Sequence, residues 1–425
     1  MRRQRADGRT VAGSNWAGNY DYGARRIHRP TSVEQLRDIV VAARRVRVLG
    51  SRHSFNAIAD SDELITLDGL PTDITIDRSA GTVDCSARVS YGELAEALAT
   101  DGLALHNLAS LPHISVAGAV ATGTHGSGDT NGNLATAVAS LEIVTSSGEL
   151  LTAERGTGDF DGLVVGLGAL GAVTRVTLDV EPAYEVRQRV YEGLAWEALS
   201  AHFDAIMASG YSVSIFTRWG ADVDQVWVKS RVGDDLDAGG ADLYGARAAT
   251  VARHPILGID PVNCTSQLGV PGLWSDRLPH FRMDFTPSSG DELQSEFFVP
   301  RRHAIDAIEA VRRLADTIRP VLLVSEIRTI AADVLWMSPH YQRDSVGIHF
   351  TWKPDQAAVL RALALIEPAL STFDARPHWG KVFLAEAATI EPLSPRLADF
   401  ARLVERLDPR HAFRNDWLER HVLGE

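Results

Sequence analysis

The chain has 425 residues, 45% hydrophobic and 7% aromatic, the make-up of a globular protein too long for one ordinary domain. Its 42 basic and 55 acidic side chains sum to −13, which argues against a nucleic-acid partner. No apolar run approaches the roughly 18 residues of a membrane span, and the opening Met1-Arg2-Arg3-Gln4 has no apolar core behind it, so neither a membrane partner nor a signal peptide is expected.

After this polar arm, Pro30-Thr31-Ser32 precedes a helix with Leu36, Ile39, Val40 and Ala43 on one face. Ser32 with Gln35, or Thr31 with Glu34, fits a capping box at its start. A strand Val46–Leu49 follows, then a small-residue loop, Gly50-Ser51-Arg52-His53-Ser54. Short strands are expected at Ile65–Leu67, Ile74–Ile76 and Thr82–Cys85, with a second helix capped at Ser90 and Glu93. A long loop runs from Ser110 to Gly128, and strands Ala137–Val144 and Ala172–Val180 close this first α+β section.

Glu181-Pro182 marks a domain boundary. Beyond it come strands Ser212–Thr217 and Gln225–Lys229, then two β-α-β passages. Glu296–Val299 leads through a helix near Arg302–Ile318 to a strand Val321–Ile330. Val346–Trp352 leads through a helix near Pro354–Leu370 to a strand Lys381–Leu384. The expected division is 1–182 and 183–376, with 377–425 returning to the first domain. Cys85 and Cys264 lie far apart, give no disulfide framework and fit a reducing compartment, so the cytoplasm is the expected location. The triplet Asn263-Cys264-Thr265 is then an accidental glycosylation match.

A pyrophosphate needs converging backbone N–H groups without side chains in the way. Ser115–Gly128 carries Gly118, Gly123, Gly126 and Gly128 among small residues, yet Ile114, Val116 and Val120 are too apolar for a solvent loop. With the His53 loop it forms two backbone cradles for one flavin. Gly166-Leu167-Gly168-Ala169-Leu170-Gly171 formally matches a dinucleotide fingerprint, but Ala172–Leu178 continues as a strand where that fingerprint requires a helix. His53 as a neutral imidazole is a nucleophile suited to an electrophilic flavin methyl carbon.

Side chains two apart on a strand share a face. Glu326 therefore projects with Arg328, and His349 with Thr351, while Ile348, Phe350 and Trp352 take the opposite face. With Lys381 these form a polar pocket on three strands, not a solvated surface. No His-x-x-x-His or His-Glu-x-x-His spacing and no close cysteine pair occurs, so a metal site is not expected.

The segments Asn15–Asn19, Ala109–Gly118, Thr122–Gly128, Val262–Thr265, Phe285–Gly290, Glu326–Thr329 and Arg376–Phe383 resemble those of alditol oxidases in the vanillyl-alcohol-oxidase flavoprotein family. The likeness runs over nearly the whole chain. It implies an FAD-binding α+β domain and a substrate (cap) domain with a mainly antiparallel sheet flanked by helices. It also implies FAD joined covalently through His53. Val48, Leu49, Gly50, Ser51, Arg52, Ser54, Ser110, Ser115, Gly118, Thr122, Gly123, Thr124, His125, Val173 and His378 would approach this cofactor. Ser110, Glu326, Arg328, His349, Thr351 and Lys381 would line the pocket for a polyol, with O2 as second substrate. Arg328 and Lys381 would stabilise the developing alkoxide and His349 would accept the hydroxyl proton. One departure stands out: many relatives have glycine before the linking histidine, where this chain has Arg52. A sugar-1,4-lactone oxidase or dehydrogenase of the same family, or a sugar-binding protein without redox activity, are the competing readings.

Overall fold

Backbone satisfaction explains how the first loops are set. In the computed structural model, which describes residues 13–234, 240–285 and 291–424, helix Val33–Ala42 starts at Ser32, whose hydroxyl accepts from Gln35 N–H. The Gln35 side chain accepts from the Thr31 N–H at 2.9 Å, so Ser32 caps the helix as expected but the reciprocal bond of a capping box falls on Thr31. The opening arm and Thr286–Gly290 of the resemblance motif lie outside the described residues.

The helix delivers the chain into strand Val46–Val48, which joins Glu63–Ile65 and Arg26–His28 in a small parallel sheet. A second, antiparallel sheet orders Ile74–Asp77, Thr82–Ser86, Ala172–Asp179, Val138–Val144 and Leu150–Glu154. The Ser90–Glu93 capping box is present, on helix Tyr91–Thr100. Residues Val116–Ala121 of the second glycine-rich segment form a short helix, so that segment is a loop only on either side of it. Ala172 opens a strand, which removes the helix a dinucleotide fingerprint needs.

Glu181–Pro182 pairs back onto Leu103–Ala104, and the large sheet begins at Glu185. Its central strands run Val223–Arg231, Ser212–Thr217, Leu322–Ile330, Ser345–Trp352, Leu293–Pro300 and Arg376–Pro377. The neighbours in this row are antiparallel. The two β-α-β passages interleave: each crossover skips one strand, and that strand belongs to the other passage. The helix expected over 302–318 is broken into Ala304–Arg312 and Ala315–Ile318.

The strand expected at Lys381–Leu384 does not form; Arg376–Pro377 pairs with the sheet instead. The reason lies in the partners of the 379–384 backbone. Asn56 Nδ2 donates to the carbonyls of Trp379 and Lys381, Phe55 N–H to that of Gly380, and Glu367 accepts from Leu384 N–H. The C-terminal segment packs against the first loops: Val46 N–H donates to Ala412 O, and Asn415 donates to the carbonyls of Ala57, Ile58 and Asp60. This is a two-domain α+β fold. Among the described residues no helix is long and apolar enough to cross a membrane.

Candidate active site

A cleft with about 1510 Å³ of atom-free space runs between the first-domain loops and the inner face of the large sheet. On one wall stand Val48, Leu49, Gly50, Ser51, Arg52, His53 and Ser54, with Ser110, Ser115, Gly118, Thr122, Thr124 and His125 beyond them. On the other stand Glu326, Arg328, His349, Thr351, His378 and Lys381. Two expected cofactor residues are not on its lining. Gly123, at φ +63° between Thr122 and Thr124, faces Pro339 and Val165, and Val173 faces a separate apolar cavity behind the short helix.

The first wall fits a flavin nucleotide. Neither His53 ring nitrogen makes a hydrogen bond of ordinary geometry, though both are buried. Burial, with His113 nearby, lowers its pKa to about 4, so the ring is a neutral nucleophile. Trp16 stacks on it at 5.5 Å and 21°. The Ser115 hydroxyl is likewise buried without a partner. A Cβ at Gly50 or Gly118 would come within 2.8 or 2.7 Å of it, so these glycines keep the backbone cradle open. Arg52 has φ +63°, the left-handed conformation that glycine adopts freely.

On the second wall the strand register sets the chemistry. His349 lies opposite Glu326 on one side and opposite Glu296 on the other, a row across three strands. Glu296 is wholly buried and was not anticipated as a site residue. Its Oε2 accepts from Lys381 Nζ at 2.5 Å and its Oε1 from Arg328 at 2.9 Å, with His125 Nε2 at 3.2 Å. Burial alone would raise its pKa, but Lys381, Arg328 and His125 hold it well below the usual range. The signal that would have found it is spacing: Glu292, just before the strand Leu293–Pro300, and Gln294 and Glu296 within it lie two residues apart, and all three line the cleft.

Arg328 also reaches the Ser110 hydroxyl at 3.4 Å and lies 3.5 Å from Glu326. Burial and then Lys381 push the His349 pKa well down, so its imidazole is neutral. Its Nδ1 accepts from Lys381 Nζ at 2.9 Å, and its Nε2 is 3.2 Å from the Thr351 hydroxyl. The lone pair expected to take a substrate proton is thus already engaged by Lys381. Burial lowers the Lys381 pKa, with Glu296 opposing. Among the described residues, His125, Glu296 and His378 bring possible ligand atoms within 4.8 Å of one another. The two cations already on Glu296 oppose a metal there.

A two-domain fold with this cleft, one wall made for a nucleotide and the other carrying buried cations, defines an FAD-dependent oxidoreductase. The family described as FAD binding domain matches residues 24–154, and that described as D-arabinono-1,4-lactone oxidase matches residues 291–421. The chain is similar to an alditol oxidase of Streptomyces sp., 50% identical over 414 residues, 96% of this chain and 98% of that protein. It is also similar to an L-gulono-1,4-lactone dehydrogenase of Mycobacterium tuberculosis, 31% identical over 97% of this chain and 99% of the relative. Among solved structures it resembles cholesterol oxidase from B. sterolicum, with a TM-score of 0.72, 14% identity and coverage of 96% and 97% of the two chains; that likeness concerns the fold. The chain belongs to the alditol oxidase family of vanillyl-alcohol-oxidase-type flavoproteins.

Proposed function

We propose that the protein oxidises the terminal primary alcohol of alditols such as xylitol and sorbitol to the aldose, using FAD and passing electrons to O2 to give H2O2. The observation that carries this reading is Lys381, held between Glu296 and His349 on the cleft wall beside Arg328. Residues 1–182 with 377–425 hold the cofactor in this reading and lend Ser110 and Lys381 to the substrate pocket, and 183–376 supply the rest of the substrate wall. Bound FAD supplies the hydride acceptor. His53, buried and neutral, would be its covalent anchor, and the backbone around Gly50 and Gly118 would receive its pyrophosphate.

The chain's own residues then manage position and proton. Arg328 and Lys381 stabilise negative charge as it grows on the C1 oxygen. The substrate proton passes to Lys381 while Lys381 gives one of its own to His349 Nδ1, so the proton ends on the imidazole. Glu326, Thr351 and Ser110 pair the remaining hydroxyls, which are costly to bury unpaired. Free buried thiols at Cys85 and Cys264 accord with the cytoplasm.

The lactone reading is favoured by the match over 291–421 and the dehydrogenase relative. Rates on xylitol, sorbitol and a hexonolactone, with peroxide measured alongside, decide between them. Alditols turned over with equimolar peroxide are expected; a lactone preference would overturn the alditol assignment. Flavin colour retained by the protein after acid precipitation, and lost in His53→Ala, tests the anchor. Colour that persists in the variant refutes it.

A further inference from the structure

His280 was not among the expected site residues, and it lies between strands with its ring packed edge-on against Phe216 and Trp227. Its Nε2 is 2.8 Å from Glu326 Oε1 and its Nδ1 is 3.1 Å from Lys229 Nζ. Charge fixes the direction of both bonds. Glu326, buried but facing Arg328 and His280, is held below the ordinary carboxylate range, so it is ionised and can only accept. His280 therefore donates from Nε2. Burial and Lys229 lower the His280 pKa to about 4, so the ring is neutral and Nδ1 bears the lone pair. Lys229 must donate to it. The other Lys229 donors go to the carbonyls of Leu278 and Pro279, so this buried amine, whose pKa burial lowers to about 7, clamps the 278–280 segment. From that segment the N–H groups of His280 and Phe281 reach the Ser110 carbonyl at 3.2 and 3.3 Å.

One carboxylate oxygen is thereby engaged. Glu326 Oε1 receives His280 and lies 3.5 Å from Arg328 Nε, whereas Oε2 has no hydrogen-bond partner among the described residues, and Glu326 lines the cleft. We propose that His280, oriented by Lys229, is a positioning residue that makes Glu326 a one-sided acceptor, so that the site selects a substrate hydroxyl able to donate to its free oxygen. This rests on the reading of Glu326 as a polyol-binding residue.

The test is steady-state kinetics on xylitol with the flavin-loaded enzyme and four variants: His280→Asn, His280→Gln, Glu326→Gln and the double variant His280→Asn/Glu326→Gln. Asparagine cannot reach Glu326, so KM rises about tenfold with kcat changed much less. Glutamine places a donor near the Nε2 position and restores most of the loss. In the Glu326→Gln background His280→Asn adds nothing. A wild-type KM in His280→Asn while Glu326→Gln is impaired overturns this proposal alone, as does the same fold-loss with and without Glu326. A Glu326→Gln variant with unchanged KM removes the underlying reading as well. If His280→Asn loses its flavin, wild-type enzyme still decides with deoxy and deoxyfluoro alditols. Fluorine accepts but does not donate, so at the position read by Glu326 it must be rejected as strongly as hydrogen. Fluorine that restores the KM of the hydroxyl at every position overturns the proposal.

Discussion

Arg52 holds a left-handed backbone next to the proposed anchor histidine, where a side chain costs about 1–2 kcal/mol. Its guanidinium lies 5.9 Å from the Tyr22 ring centroid, and Gly13 opposite has no side chain to obstruct it. The Arg52 carbonyl accepts from Trp16 N–H at 2.8 Å, and Trp16 stacks on His53, so the strained residue fixes the wall of the imidazole's pocket. Truncation to alanine removes the guanidinium and keeps the strain; truncation to glycine removes both. Arg52→Gly is therefore expected to be more stable than Arg52→Ala by about 1 kcal/mol, read as a higher Tm. Equal melting temperatures would mean that the loop relaxes out of this conformation. The unusual residue at 52 was visible in the sequence, because the resemblance to relatives with glycine there raised the question. Glu296 was not, because a lone acid before Phe297-Phe298 reads as a strand edge until the spacing from Glu292 is traced. His280 gave no sequence signal at all: its role depends on Lys229 and Glu326, 51 and 46 positions away.

The pairing of strands explains how Arg328 and Glu296 meet. Arg328 on Leu322–Ile330 lies opposite Gly347 on Ser345–Trp352, and Glu296 is on the strand beyond. The guanidinium must cross over Gly347 to reach Glu296 at 2.9 Å. A Cβ on Gly347 would sit 3.1 Å from Glu296 Oε1 and 3.1 Å from the Phe298 ring. Gly347→Ala should therefore displace the buried ion pair without unfolding the sheet. The expected outcome is a loss of kcat of at least about tenfold, with Tm reduced by only a few degrees. Unchanged turnover would show that Arg328 does not need this contact in catalysis. The alternation Glu326/Arg328 and His349/Thr351 was readable because a two-residue period is local to each strand. The register that brings Gly347 between Arg328 and Glu296 is not local, and no single strand contains it. The same limit applies to Val382-Phe383-Leu384. An apolar run is compatible with a strand, but here only Val382 N–H reaches the sheet, at the Gln294 carbonyl, while the distant side chain of Glu367 takes Leu384 N–H and Asn56 takes the carbonyls of Trp379 and Lys381 just before the run.

Packing across the two domains buries an unusual set of histidines. Burial lowers the pKa of His53, His254 and His280 to about 4, and it drives His106, His125, His340, His349 and His378 downward as well. Each binds a proton more readily in the unfolded chain, where its pKa returns towards 6.5. Their contribution to stability is therefore complete above that value and is lost as the pH falls towards 4. Glu296 and Glu326, with depressed pKa values, act in the same sense below about 4.5. Asp333, raised to about 6, and Glu367, raised to about 7, act in the opposite sense, because they favour the folded state as they gain protons. Nine lowered histidines, His421 included, outweigh three raised carboxyls, Asp408 included. If the net effect equals one fully buried histidine between pH 6.5 and 5, it is about 2 kcal/mol, or roughly 2 °C in Tm for a chain of this size. Thermal unfolding of the flavin-loaded protein, followed by tryptophan and flavin fluorescence, should thus show Tm falling by at least that much from pH 7 to pH 5. A Tm that stays level over this interval would require the buried imidazoles to be paired as cations, and His349 could then no longer receive a proton from Lys381.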